Sequence, residues 1–251
     1  MRRGGVAGSN LAGATIPANC RGGMTRRNDT RSERGKRMVE LVVKFILSYM
    51  VGSIIGSLVV GRIKGGVDIR SEGSGNAGGT NALRTRGKVF AFWVMLIDVG
   101  KGVLAVAVIA PISLPLVPEA AFRPEWIAVA CGFAAMLGHV WPVFFGFRGG
   151  KGVATYVGVL GALAWPALVV ALLIFAVVLI LTGYVSLGSI VAPIAVALYL
   201  LLITGFGPLT VFGVAMALFI LFTHRTNVVR LREGTENQFP KVMLLHRLFG
   251  L

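Results

Sequence analysis

From Gly152 to Thr223 the chain contains no Asp, Glu, Lys or Arg. No single helix accounts for such a run, because crossing the hydrocarbon core of a bilayer takes about 20 residues. Several consecutive membrane spans are the economical reading. Composition agrees with it. Of 251 residues, 55% are hydrophobic and 14% charged, with a mean hydropathy of +0.80, whereas soluble domains carry about 25% charged residues.

The net charge of +15 invites a nucleic-acid reading, but its distribution argues otherwise. Nine of the 25 basic residues precede Met38, and the others sit mainly at the ends of apolar segments. Basic loops flanking apolar helices follow the positive-inside rule, so no nucleic-acid partner is expected. Cys20 and Cys131 do not make a disulfide framework.

Residues 1–37 are rich in Arg, Gly, Ser, Thr and Asn and carry no apolar period. They are expected to form a disordered basic leader. The composition suits a transit peptide, but an over-long reading frame fits at least as well, with translation starting at Met38. Residues 38–251 form the membrane domain. Its first apolar spans are expected at about 39–61, 89–110 and 126–145, separated by a glycine-rich loop with six Lys/Arg against two acids and by a segment holding Glu119, Arg123 and Glu125.

The loop at 62–88, the turn at 146–151 and the tail from His224 are all basic, which places them on one side, the cytoplasmic one. An even number of crossings then separates Lys151 from His224. Two would be far too long. Four fit, at about 152–165, 166–182, 185–204 and 208–223, broken at Trp165-Pro166, Thr182-Gly183-Tyr184 and Gly205–Pro208, where Gly and Pro punctuate the chain. The expected architecture is an all-α integral membrane protein of seven transmembrane helices with its polar chemistry on the cytoplasmic face.

Four polar groupings interrupt this scaffold. Gly73-Ser74-Gly75-Asn76-Ala77-Gly78-Gly79-Thr80-Asn81, followed by Arg84, combines bare backbone N–H groups, neutral donors and a guanidinium, which suits an anionic oxygen cluster. The bland alternative is a flexible polar loop. The spacing also matches a dinucleotide fingerprint, but no strand pattern precedes it. Next, Gly138-His139 leads to Gly149-Gly150-Lys151-Gly152. Phe145 and Gly152 stand where a P-loop needs Gly and Ser or Thr, so nucleotide hydrolysis is a poor reading, although Lys151 between glycines can approach a phosphate closely. A plain positive-inside lysine is the alternative. Asp98 and Lys101, three apart within a span, pair most economically as a structural ion pair facing the bundle interior. Finally come Tyr184, Ser186 and Ser189, and then His224-Arg225-Thr226-Asn227. A histidine there can simply complement a helix dipole.

Together these segments resemble the bacterial acyl-phosphate:glycerol-3-phosphate acyltransferases, the PlsY family. The matching stretches are Gly52-Ser53-Ile54, Val67-Asp68 through Arg84, Leu96-Ile97-Asp98 with Lys101-Gly102, Gly138-His139 through Thr155, Tyr184-Val185-Ser186-Leu187, and His224-Arg225 with Asn227. They run in order from the first span to the tail, and the leader lies outside them. Thr226 stands where the family commonly has Glu, which argues against a catalytic role for that position.

The resemblance implies transfer of a fatty acyl group from acyl phosphate to the 1-hydroxyl of glycerol 3-phosphate, giving lysophosphatidic acid and phosphate. It implies a multi-pass protein of the bacterial inner membrane, functionally coupled to an acyl-phosphate-producing enzyme, without cofactor or metal. Ser74, Lys151, His224 and Asn227 are the implied catalytic set. Asn76, Thr80, Asn81, Arg84, His139, Ser186 and Arg225 are the implied substrate-binding set, with Gly75, Gly78, Asp98, Lys101, Gly150 and Gly152 in support. The H-x-x-x-x-D signature of acyltransferases using other donors is absent: five residues after His139 is Phe144, and after His224 is Val229. A transporter is the rival class, since Asp98, Lys101 and His139 could line a pathway, but the chain shows no convincing internal repeat.

Overall fold

A computed structural model of the chain describes residues 19–114, 124–240 and 243. Among them there is no strand. The helices are α1 (Asn19–Gly52), α2 (Gly56–Ile63), α3 (Gly79–Leu104), α4 (Pro124–Val140), α5 (Val153–Leu163), α6 (Trp165–Thr182), α7 (Val185–Thr204), α8 (Pro208–Thr223) and α9 (Arg225–Arg232). A π-helical turn, Ala105–Ile109, continues α3.

In the uncharged stretch the helices are separated at Ala164, at Gly183-Tyr184 and at Gly205–Gly207. Pro166 lies in the first turn of α6, where its missing N–H costs nothing. Gly183 ends α6 in the left-handed region, at φ 72°. Within α3, Gly87 at φ 81° interrupts the helical dihedrals. The basic first turns are thus a separate piece, and the apolar part starts where the sequence reading put it.

Among the described residues, four helices are long and apolar enough to cross a membrane, and up to six if each of two bent pairs counts as one span. The bent pairs are Met38–Gly52 with α2, at 46°, and α8 with α9, at 60°. The apolar α5 is shorter, at eleven residues. Large side chains such as Leu173, Leu202, Phe206 and Leu218 lie exposed on the outside of the bundle, a surface that only lipid covers without penalty.

One expectation needs correction. α1 begins at Asn19, so residues 19–37 are helical where no regular structure was expected. Once the apolar part of α1 has nucleated, each added residue gains a backbone hydrogen bond without a new nucleation cost, and Arg and Met are good helix formers. The leader's residues 1–18 lie outside the described residues.

Packing places the site. The core joins α4, α5, α7 and α8 through Met136, Tyr156, Val159, Val196, Phe212, Met216 and Ile220. α3 and α5 touch backbone to backbone at Gly102 and Gly158: a Cβ on Gly102 would lie 2.9 Å from the Val159 nitrogen, and one on Gly158 2.9 Å from the Val99 carbonyl carbon. The glycines let α5 lean into the bundle, so a short helix can still present its first turn to the polar end.

Two buried ion pairs bind the elements. Asp98 and Lys101 meet at 2.9 Å, with side chains 0% and 3% exposed. Asp98 Oδ1 also accepts from the Gly56 N–H at 3.1 Å, and Lys101 Nζ donates to the Ile54 carbonyl at 2.8 Å. The pair therefore satisfies backbone groups freed at the α1–α2 break, on either side of Ile55. A second pair was not anticipated. Lys44 Nζ lies 2.6 Å from Glu40 Oε1 and 2.7 Å from the Ala110 carbonyl, tying α1 to the end of the π-helical turn.

Candidate active site

At one end of the bundle, the glycine-rich loop, the 146–152 turn and the α8–α9 junction enclose a cavity of about 280 Å³. Its polar lining comprises Ser74, Asn76, Thr80, Arg84, Lys151, Ser186, His224, Asn227, Arg230 and Glu236, and its apolar lining includes Tyr156, Val157, Leu172, Phe175, Ala192 and Pro193.

The glycine-rich loop is shaped from within by Asn81. Its side-chain amide donates to the carbonyls of Ile69, Glu72 and Asn76, each at 3.0 Å, and its Oδ1 accepts from the Ser74 N–H at 3.0 Å. Asn81 borders the cavity, but its polar atoms are spent on the loop, so it organises rather than contacts. Gly78 is the N-cap of α3, and the first turn of that helix, Gly79 and Thr80, opens on the cavity. A helix start of this kind favours anions. Gly75, at φ 71°, turns the loop without lining the cavity.

Arg70 clamps this loop to the neighbouring turn. It pairs with Asp68 at 2.7 Å, while Nη1 donates to the Phe145 and Arg148 carbonyls at 3.2 and 2.8 Å. The hydrogen bond from Arg70 holds the Asp68 carboxyl below its ordinary range.

Lys151 is set by its neighbours. Gly152 at φ 88° is the residue from which α5 starts, a conformation in which a side chain would be strained. The Gly150 N–H donates to the His139 carbonyl at 3.1 Å, and a Cβ on Gly150 would collide with the His139 ring. His139, 2% exposed, has Nδ1 3.2 Å from Thr155 Oγ1 and 3.5 Å from Asp98 Oδ1. These contacts hold it against the loop beside Lys151. Lys151 Nζ donates to Asn227 Oδ1. Burial, reinforced by Arg230 and Arg84 and opposed by Glu236, pushes its pKa down to about 8.

The α8–α9 junction completes the polar lining. His224 Nδ1 lies 2.8 Å from the Ile220 carbonyl, so Nδ1 carries the proton and Nε2 remains as an acceptor in the neutral ring. Thr223 Oγ1 donates to the Lys151 carbonyl at 3.1 Å. The hydroxyls of Ser186 and Tyr156 are buried without a hydrogen-bond partner.

Arg225 departs from expectation. It is exposed, its guanidinium lies 4.7 Å from the Phe222 ring centroid, and Nη1 donates to the Phe222 carbonyl at 3.2 Å. Consecutive helix residues point about 100° apart, so Arg225 cannot share the face of His224. Asn227, three positions on, returns to within about 60° of His224, Arg230 lies three positions beyond Asn227, and both line the cavity. That spacing is readable in the sequence. Glu236 was not foreseen: it lies beyond α9, where no periodicity marks it.

Cationic and neutral donors lining the same cavity as apolar side chains suit an amphiphile with an anionic head. The fold is that of a polytopic helical membrane protein with such a pocket at one end of the bundle. A family model described as glycerol-3-phosphate acyltransferase matches residues 42–234. The glycerol-3-phosphate acyltransferase of Synechococcus sp. (strain CC9902) is 41% identical over 178 residues, covering 71% of this chain and 84% of that relative. That of Shouchella clausii (strain KSM-K16) is 44% identical over 183 residues, 70% of this chain and 84% of the relative. A crystal structure of PlsY, an integral membrane glycerol 3-phosphate acyltransferase, in its glycerol 3-phosphate form matches with a TM-score of 0.68 at 33% identity, over 83% of this chain and 98% of that one. Its lysophosphatidic acid form gives 0.69 at 33% identity, over 79% and 95%. The chain belongs to the glycerol-3-phosphate acyltransferase family, of the PlsY type.

Proposed function

We propose that this protein transfers a fatty acyl group from acyl phosphate to the 1-hydroxyl of sn-glycerol 3-phosphate, giving lysophosphatidic acid and phosphate, the first step of phospholipid synthesis. The observation that carries the reading is one cavity lined both by Lys151, Arg84 and Arg230 and by apolar side chains from α5, α6 and α7. Two phosphates need a surplus of cations and donors, and an acyl chain needs the apolar wall. In this reading the site faces the cytoplasm at the bacterial inner membrane, with α5 through α8 as four crossings and seven in all, which the basic ends support.

Acyl phosphate is a mixed anhydride and carries its own leaving group, so the chemistry needs no cofactor. The protein's share is to hold two anions adjacent and to stabilise developing charge. Ser74, Asn76, Thr80, Lys151, His224 and Asn227 hold the acyl phosphate. Arg84 and Ser186, with Arg230 in place of Arg225, hold glycerol 3-phosphate. The 1-hydroxyl oxygen attacks the acyl carbon, the bond from that carbon to the phosphate oxygen breaks, and the departing phosphate keeps the hydroxyl proton. The free acceptor at His224 Nε2 also supports a second reading, in which His224 takes that proton as general base. His224→Gln separates them. Intact acyl-phosphate binding with turnover abolished and an altered pH profile favours the base.

The test offers palmitoyl phosphate and glycerol 3-phosphate to purified protein in lipid. Equal release of phosphate and lysophosphatidate supports the proposal. Intact acyl phosphate with substrate flux across the membrane replaces it with the transporter reading.

A further inference from the structure

The segment after α9 turns back over the cavity. Gly234 reverses the chain at φ 68°, Gln238 Nε2 donates to the Thr182 carbonyl at 2.9 Å, and the Phe239 N–H donates to the Gly183 carbonyl at 2.9 Å. This strap, fixed to the α6–α7 turn, inserts Glu236 into the polar lining with its side chain 6% exposed. Glu236 Oε1 accepts from Asn227 Nδ2 at 2.7 Å, and Oε2 accepts from Arg230 Nε at 2.7 Å. Asn227 Oδ1 in turn accepts from Lys151 Nζ. Four side chains from three segments of the chain thus form one unbroken line.

A carboxylate facing two anionic substrates is at first sight a defect, since like charges repel in a partly buried site. Its position resolves this. An asparagine amide has one donor end and one acceptor end, whereas an ionised carboxylate only accepts. Glu236 therefore holds the NH₂ end of Asn227 towards itself and leaves the oxygen for Lys151. If the amide flipped, its NH₂ would face the ammonium and the bond would be lost. Two oxygens of Glu236 are already occupied, by Asn227 and by Arg230, so its charge is spent on neighbours.

We propose that Glu236 is a positioning residue for anion binding: through Asn227 it fixes the ammonium of Lys151, so that the remaining N–H groups of Lys151 point at the substrate phosphate. This deepens the functional reading above and rests on it. The charged or titratable groups facing Lys151 are Arg84 from α3, Arg230 from α9, Glu236 from the strap and His224 from the end of α8.

The test compares wild type with Glu236→Ala, Glu236→Gln and Glu236→Asp, reading KM, kcat and the pH profile of kcat/KM. Removing a charge-assisted contact raises KM about tenfold or more in Glu236→Ala. The alkaline limb moves to lower pH, because the ammonium has lost a supporting carboxylate. Glu236→Asp keeps an acceptor-only group and recovers part of the loss. A KM unchanged or lowered in Glu236→Ala, the outcome of simple charge removal, overturns the proposal. If Glu236→Ala does not fold, the isosteric Glu236→Gln decides by the same two readouts, since its amide no longer dictates the orientation of Asn227. Should wild type yield no lysophosphatidate, the functional reading fails on its own. The positioning role is then read from inorganic phosphate binding to wild type and Glu236→Gln, and equal or tighter binding by the variant overturns it.

Discussion

Replacing Asp98 with leucine tests the packing logic beneath the site. Lys101 is 4% exposed, and its ammonium meets only Asp98 at 2.9 Å and the Ile54 carbonyl at 2.8 Å. Without Asp98 the cation stays buried with a single neutral acceptor, a loss of about 3–5 kcal/mol for a broken buried pair. The Gly56 N–H, 3.1 Å from Asp98 Oδ1, also loses its acceptor, worth about 1–3 kcal/mol. The two are not additive, because both act on the same break between α1 and α2. Asp98→Leu should therefore destabilise by about 3–5 kcal/mol. Adding Lys101→Met removes the stranded cation and leaves neutral groups without their partners, the Gly56 N–H, the Ile54 carbonyl and the His139 ring, so the double variant should be the more stable of the two. Equilibrium unfolding in mixed micelles, followed by tryptophan fluorescence, measures both. An Asp98→Leu loss below about 1 kcal/mol, or a double variant no better than the single, refutes the reasoning.

Because burial and neighbouring arginines bring Lys151 down to about 8, its ammonium is present below that pH and is lost above it. Substrate KM should rise from pH 8 upwards in wild type, with the limb abolished in Lys151→Arg, in steady-state assays. Arg225→Ala should leave KM within about twofold, as a surface change does. Arg230→Ala should raise it about tenfold by removing a charged contact in the cavity, and equal effects from both would contradict the assignment.

Much of this was legible in the sequence, for identifiable reasons. The uncharged run and its Gly and Pro breaks specify α5 through α8 because bilayer thickness leaves little freedom in helix length. The polar clusters stood out because polar residues within an apolar scaffold demand an explanation. Arg225 was misjudged through adjacency to His224, where helical rotation should have ruled. Asn81 was grouped with substrate contacts because nothing in a sequence tells an amide that faces a ligand from one that ties its own loop. The contact of Lys44 with the Ala110 carbonyl and the role of Glu236 were missed because each acts through a partner far along the chain or beyond a turn, whereas Glu40 and Lys44, four apart on one helix, were a pairing the sequence did offer. The helical start at Asn19 was missed because a polar composition can still extend a helix nucleated elsewhere.

Equilibrium binding of radiolabelled glycerol 3-phosphate to purified protein in lipid nanodiscs, with and without a saturating non-hydrolysable acyl phosphonate, probes whether both substrates share the pocket. Saturable binding should persist in the presence of the phosphonate and be lost in Lys151→Met. Mutually exclusive binding of the two ligands, or wild-type binding in Lys151→Met, contradicts a pocket built to hold two phosphates at once.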